Sequence, residues 1–153
     1  MVGMKKKSKF DSKFKSTSTF DVRRENIRSE RKVTEDMPKL CLNFKDFDSN
    51  QCPPGQTFEQ WEEEKRLSIL MKKFVGVCMY NRTEALQMKL LKVYGEFPVN
   101  SDFQKPNYIN GEVQWGTLQR IGGQKPRLAG YIIENVFYPV FLDKDHRFYP
   151  SNK

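Results

Sequence analysis

Histidine is almost missing from this chain: His146 stands alone among 153 residues. Cysteine is nearly as scarce, with Cys41, Cys52 and Cys78 and no Cys-x-x-Cys pair. A structural zinc site draws four thiolate or imidazole ligands from close pairs, so the spacing argues against one. Three scattered thiols also argue against a disulfide framework, and Cys41 and Cys78 read as small buried hydrophobes. No run approaches the roughly 20 apolar residues of a bilayer helix. Lys5-Lys6-Lys7 leads into a polar stretch, residues 8–18, instead of the apolar core of a signal peptide. A Gly-rich phosphate loop and a Gly-x-Ser-x-Gly elbow are both lacking. These absences predict a cytoplasmic protein with no metal, no cofactor and no membrane partner.

Cationic charge is what the chain has in excess: 27 Lys/Arg against 19 Asp/Glu, a net charge of +8. It is unevenly spread. Residues 1–39 hold 12 cations and 6 acids, and the remaining residues hold 15 and 13. The first twenty residues mix Lys, Ser, Thr and Phe without helical or strand period, which predicts a mobile basic arm over 1–38. Within it, residues 21–36 alternate in charge sign and suit a short solvated helix with Asp21 near its start. Lys5, Lys6, Lys7, Lys9, Lys13, Lys15, Arg23 and Arg24 are the arm's candidate nucleic-acid contacts. Phe10, Phe14 and Phe20 are placed to stack on unpaired bases. A solubilising tail is the plain alternative.

From Lys39 the pattern changes to that of a folded domain, 39–150. Leu40, Leu42 and Phe44 alternate as a strand does. Thr57-x-x-Gln60 is a capping box, and apolar residues from Phe58 through Trp61, Leu70, Met71 and Phe74 to Cys78 recur at helical spacing. The Glu59, Glu62, Glu63 and Glu64 run reads as the solvated face of that helix. Asn81 or Thr83 caps a second helix carrying Ala85, Leu86, Leu90 and Val93, with Gly95 as its stop. Residues 96–111 form a long loop. Three strand patterns follow, over 113–121, 127–133 and 136–142, the last pair joined at Glu134-Asn135 with Asn135 suited to a left-handed turn. Pro139 within the last needs a free edge or a bulge. The order strand-helix-helix-strand-strand-strand predicts an α+β domain, an antiparallel sheet covered on one face by a helical hairpin.

Arg127-Leu128, the hairpin to Val136-Phe-Tyr-Pro-Val-Phe-Leu142, and the ending His146-Arg147-x-Tyr149 carry a resemblance. In element order and in this ending the chain resembles the RelE/YoeB/HigB superfamily of small bacterial toxins. Its C-terminus is also similar to a group of bacterial proteins of unassigned role that close on a Val-Phe…Asp-x-Asp-His-x-Phe-Tyr strand. The resemblance implies ribosome-dependent mRNA cleavage, with RNA or the ribosome as target and an acidic antitoxin-like protein as partner.

The residues can be weighed against that chemistry. RNA cleavage needs the 2′-oxygen deprotonated, the phosphorane charge neutralised and the leaving oxygen protonated. His146 is the natural proton carrier, Arg127 and Arg147 are permanently charged forks, and Tyr149 is suited to stack or to donate. Arg120 and Lys125 extend a basic groove along the neighbouring hairpin. Were 146–149 an extended strand, His146 and Arg147 would face opposite sides, so His146 with Arg127 is the favoured pair. The plain readings are a His146 imidazole bonded to Asp143 and an Arg127–Glu134 pair across the hairpin. Glu96, Asp102, Glu112, Asp143 and Asp145 would make a magnesium site only if they converged. The alternatives to an enzyme are a nucleic-acid-binding accessory or defence-linked protein, and a protein-interaction domain.

Overall fold

The computed structural model describes residues 21–24 and 37–151. The chain divides into two units, 1–36 and 37–153. In the first, residues 21–24 form one exposed helical turn, which carries Arg23 and Arg24. The other candidate contacts of the arm, Lys5 to Lys15, lie outside the described residues, as does the rest of the predicted solvated helix.

The second unit is α+β. Its elements are β1 (Cys41–Leu42), α1 (Phe58–Glu63), α2 (Leu67–Val77), α3 (Arg82–Gln87), β2 (Leu91–Gly95), β3 (Gln114–Leu118), β4 (Arg127–Ile133) and β5 (Val136–Asp143). The five strands form one sheet in the order β1-β5-β4-β3-β2. β2 to β5 pair antiparallel, while β1 runs parallel to β5, so the sheet is mixed and not the antiparallel one expected. Among the described residues no helix is long and apolar enough to cross a membrane.

The helices depart from the predicted hairpin in two places. The single helix expected over 57–78 is two, because the chain turns at Lys65 with φ 58°. The capping box holds the first of them. Thr57 Oγ1 accepts from the Gln60 amide at 3.2 Å, and Gln60 Oε1 accepts from the Thr57 amide at 2.9 Å. Asn81, not Thr83, caps α3, its Oδ1 accepting from the Glu84 amide at 2.8 Å. That helix then stops at Lys89, φ 57°, well before Gly95, and residues 91–95 leave as a strand. Leu91-Lys-Val-Tyr carries a period of two as readily as a helical one, and pairing with β3 decides it.

Both faces of the sheet are covered, by different means. Trp61, Leu70, Phe74, Val77 and Ala85 of the helices pack on Leu118, Leu128, Ile132, Phe137 and Leu142 of the strands. On the opposite face Trp115, Ala129, Tyr131 and Phe141 meet Phe103 and Ile109 from the long loop and Phe148 from the C-terminal end. Phe103 stacks on Phe141 at 4.3 Å between ring centres, and Phe97 meets Trp115 edge-on at 4.8 Å. The near-continuous apolar run of β5 thus reflects burial on two sides, not one. Cys41, expected inside, is exposed and Cys78 half-buried, and Met71 and Leu86 stand in solvent.

Pro139 lies in an interior strand, opposite Gly130, where the β4–β5 register shifts. The bulge absorbs the missing ladder bond. It also presses the strands together: a Cβ on Gly130 would meet the Tyr138 carbonyl oxygen far inside contact distance. Gly76, in α2, has open space beside it. Two identical substitutions should therefore act in opposite directions. Gly130→Ala is expected to cost about 1–3 kcal/mol through forced backbone displacement. Gly76→Ala should gain roughly 0.5–1 kcal/mol from helix propensity. Urea unfolding of the two variants checks both signs.

Candidate functional site

The site begins with a turn. β5 ends at Asp143, which is wholly buried. Its Oδ1 accepts from the Arg147 amide at 2.7 Å and its Oδ2 from the Phe148 amide at 2.9 Å. One carboxylate thus closes residues 143–148 into a compact loop, and His146 at its crest takes a left-handed conformation, φ 60°. From outside, Gln56 Oε1 accepts from the Lys144 amide at 2.7 Å, and Lys144 Nζ pairs with Glu64 at 2.6 Å. Residues 146–149 accordingly do not run as an extended strand.

The change of geometry changes which side chains meet. His146 and Tyr149 line one open cavity of about 520 Å³ together with Arg127. Arg147 does not line it. Its Nε pairs with Asp102 Oδ2 at 2.8 Å, while its carbonyl accepts from the Asp102 amide at 3.1 Å. These bonds tie the turn to the long loop, whose Pro98, Val99 and Asn100 form another wall. Arg147 therefore braces the cavity wall. Phe148 points inward to the core, whereas Tyr149 is 43 % exposed.

β2 supplies what sequence reasoning missed. Lys92 and Tyr94 line the same cavity, Tyr94 stacked on Tyr149 at 4.2 Å with planes 7° apart. Lys92 Nζ lies 5.1 Å from the centre of the Tyr94 ring. The helical reading of 81–95 hid them. Alternation from Leu91 was the available signal, since it sets positions 92 and 94 on one strand face.

Among the described residues the lining includes no carboxylate. Arg127 faces Asp143 across the β4–β5 ladder and not Glu134, which sits at the far end of β4. Its guanidinium helps to hold the Asp143 carboxyl down, against burial that pushes it up; burial is the larger influence. The Asp143 oxygens are engaged by backbone, so the expected Asp143–imidazole bond is not formed, and His146 Nδ1 is buried without a partner. The imidazole is held below its usual pKa, first by burial and then by Arg127, Lys92 and Lys125. At neutral pH it is therefore an uncharged ring facing cations.

No family model, curated protein or solved structure matches this chain. The site's meaning must come from its own groups. Arg120 and Lys125 are exposed and lie outside the lining. Lys125 still acts on His146 through space, whereas Arg120 acts on Lys73 of α2. The acids proposed for magnesium do not assemble: among the described residues no three His, Cys, Asp or Glu side chains group to hold a metal.

Asp143 can be tested directly. Asp143→Ala leaves two amides without an acceptor, at about 1–3 kcal/mol each, and Asp143→Asn, which keeps one acceptor, should lose less. Burial holds the wild-type carboxyl above its usual pKa. The extra stability from this group is then full below the unfolded-state value and is lost as pH rises through the raised one. Urea unfolding should show the advantage of wild type over Asp143→Asn narrowing as pH rises from the ordinary aspartate range.

Proposed function

We propose that the protein is a toxin-like RNA-cleaving or RNA-binding protein working by metal-independent acid/base chemistry at this cavity. One observation carries the reading: a half-buried imidazole and a guanidinium line the same open concavity, with a lysine beside them and, among the described residues, no carboxylate in the lining. Arg127 and Lys92 neutralise the charge that gathers on a phosphorane. His146, uncharged when free, takes the proton of the attacking 2′-oxygen and afterwards returns one to the leaving 5′-oxygen. Since Nδ1 is buried, the proton moves at Nε2. The paired rings of Tyr94 and Tyr149 offer an aromatic wall for an unpaired base. The excess of cations, strongest in residues 1–39, favours approach of a polyanion, whether RNA or a ribosome. It equally suits an acidic protein that blocks the cavity.

The test is cleavage of a single-stranded RNA by the full chain, free and on ribosomes, in the presence of a chelator. His146→Ala is expected to slow cleavage about 10²-fold or more. Arg127→Ala should slow it roughly 10²–10³-fold. Arg147→Ala, which only braces a wall, should do much less. RNA that is held but never cut would leave a binding protein. RNA neither held nor cut would end the reading. Removal of residues 1–38 should flatten the salt dependence of binding, because fewer counterions are then released.

A further inference from the structure

We propose that the cavity binds a phosphoryl group together with a proton, the proton arriving on His146. The inference rests on the placement of a phosphoryl group in the cavity argued above, but not on that group belonging to RNA.

The argument is one of charge around a fixed ring. β2 presents Lys92 and the phenol of Tyr94, β4 presents Arg127, the loop before β4 presents Lys125, and the C-terminal end presents Tyr149. On the turn itself Arg147 is neutralised by Asp102, and Lys144 by Glu64. Asp145 is exposed, and the β5 carboxylate of Asp143 is engaged by the Arg147 and Phe148 amides. The field at the imidazole is thus set by cations, and in the empty cavity it repels a proton. An oxyanion seated among Lys92, Arg127 and His146 reverses the sign of that field. The backbone cannot turn the ring out of the way, because His146 is locked at the crest of a turn closed from inside by Asp143. Solvent then supplies one proton to Nε2, and the imidazolium joins Lys92 and Arg127 as a third cation of the lining only once the anion is present. A dianion, such as a terminal phosphate or sulfate, gains more from this than the single charge of a phosphodiester. By linkage the effect is reciprocal: each unit by which the anion raises the imidazole pKa is about a tenfold gain in affinity on protonation.

The lone histidine makes the test direct, because the one imidazole resonance in the spectrum is His146. The full chain is titrated by NMR over about pH 5 to 8, in chloride, in inorganic phosphate and in sulfate at equal ionic strength. In chloride the ring should titrate below the ordinary imidazole value. Saturating phosphate or sulfate should raise it by about one unit or more. Arg127→Ala and Lys92→Ala should each raise the value in chloride and shrink the anion's effect, and the unchanged spectra of remote residues show that these variants fold. Phosphate bound with no movement of the His146 titration overturns the inference and leaves the RNA reading intact. Failure of both anions to bind also overturns it. Titration that moves as stated, in a protein that neither holds nor cuts RNA, supports the inference while the RNA reading falls.

Discussion

Everything in the C-terminal part of the site depends on where the Asp143 carboxylate spends its two oxygens. A buried carboxylate is expensive unless hydrogen bonds replace its water. Here the replacement comes from two successive amides, those of Arg147 and Phe148, so solvating the charge and folding the turn are one event. The turn in turn settles three side chains at once. Phe148 enters the core beneath the sheet, Arg147 reaches across to Asp102, and His146 is left at the crest with Tyr149 after it. Because Asp143 is also the ladder partner of Arg127, the same residue sets the imidazole and the guanidinium relative to one another.

The long loop between β2 and β3 belongs to the same logic. A sheet with helices on one face leaves its other face to be covered, and among the described residues no second set of helices does it. Phe103 and Ile109 from the loop and Phe148 from the C-terminal end cover it instead. The cavity opens on this second face, beyond the aromatic layer, where polar residues (Lys92, Gln119, Arg127) replace the apolar ones along the strands. A loop required by the core thus becomes a wall of the site, and the Arg147–Asp102 pair is the place where the two roles meet.

How much of this could be read from sequence follows from the range of the forces involved. The caps at Thr57 and Asn81 are local and were legible. So were β4, β5 and the demand of Pro139 for a bulge. Features decided by partners far along the chain were not. The break at Lys65 and the stop at Lys89 place ordinary lysines in left-handed backbone, which no composition rule marks. The switch of residues 91–95 from helix to strand is made by pairing with β3. The positive φ of the β4–β5 turn falls on Glu134, not on Asn135. Asn135 instead donates through Nδ2 to the Lys39 carbonyl at 2.9 Å, a contact that parallel pairing of β1 beside β5 brings about. In the site itself, Arg127, His146 and Tyr149 were named from their chemistry. Arg147 was included on chemistry alone and is spent on Asp102; Lys92 and Tyr94 were hidden by the wrong period.

The ion pairs of the described residues are few and lie outside the cavity lining. Four cations outside the cavity lining are matched: Lys144 and Arg66 by Glu64, Arg147 by Asp102, Lys39 by Glu84. Exposed pairs of this kind are screened by solvent and add little to stability, so they serve placement more. Lys92 and Arg127 take part in no such pair among the described residues; what sets them apart is that they stand around a half-buried imidazole. Unmatched like charges around a half-buried imidazole, with Arg127 Nε and His146 Nδ1 both lacking partners, weaken a fold. Unpartnered polar groups and like charges gathered at one concavity have most reason to be there where something else completes the charge balance. The completing group must be anionic, must fit about 520 Å³ and must tolerate an aromatic wall. A nucleotide phosphate meets all three requirements, whereas an acidic side chain from a partner protein meets the first two and leaves the Tyr94–Tyr149 stack unexplained.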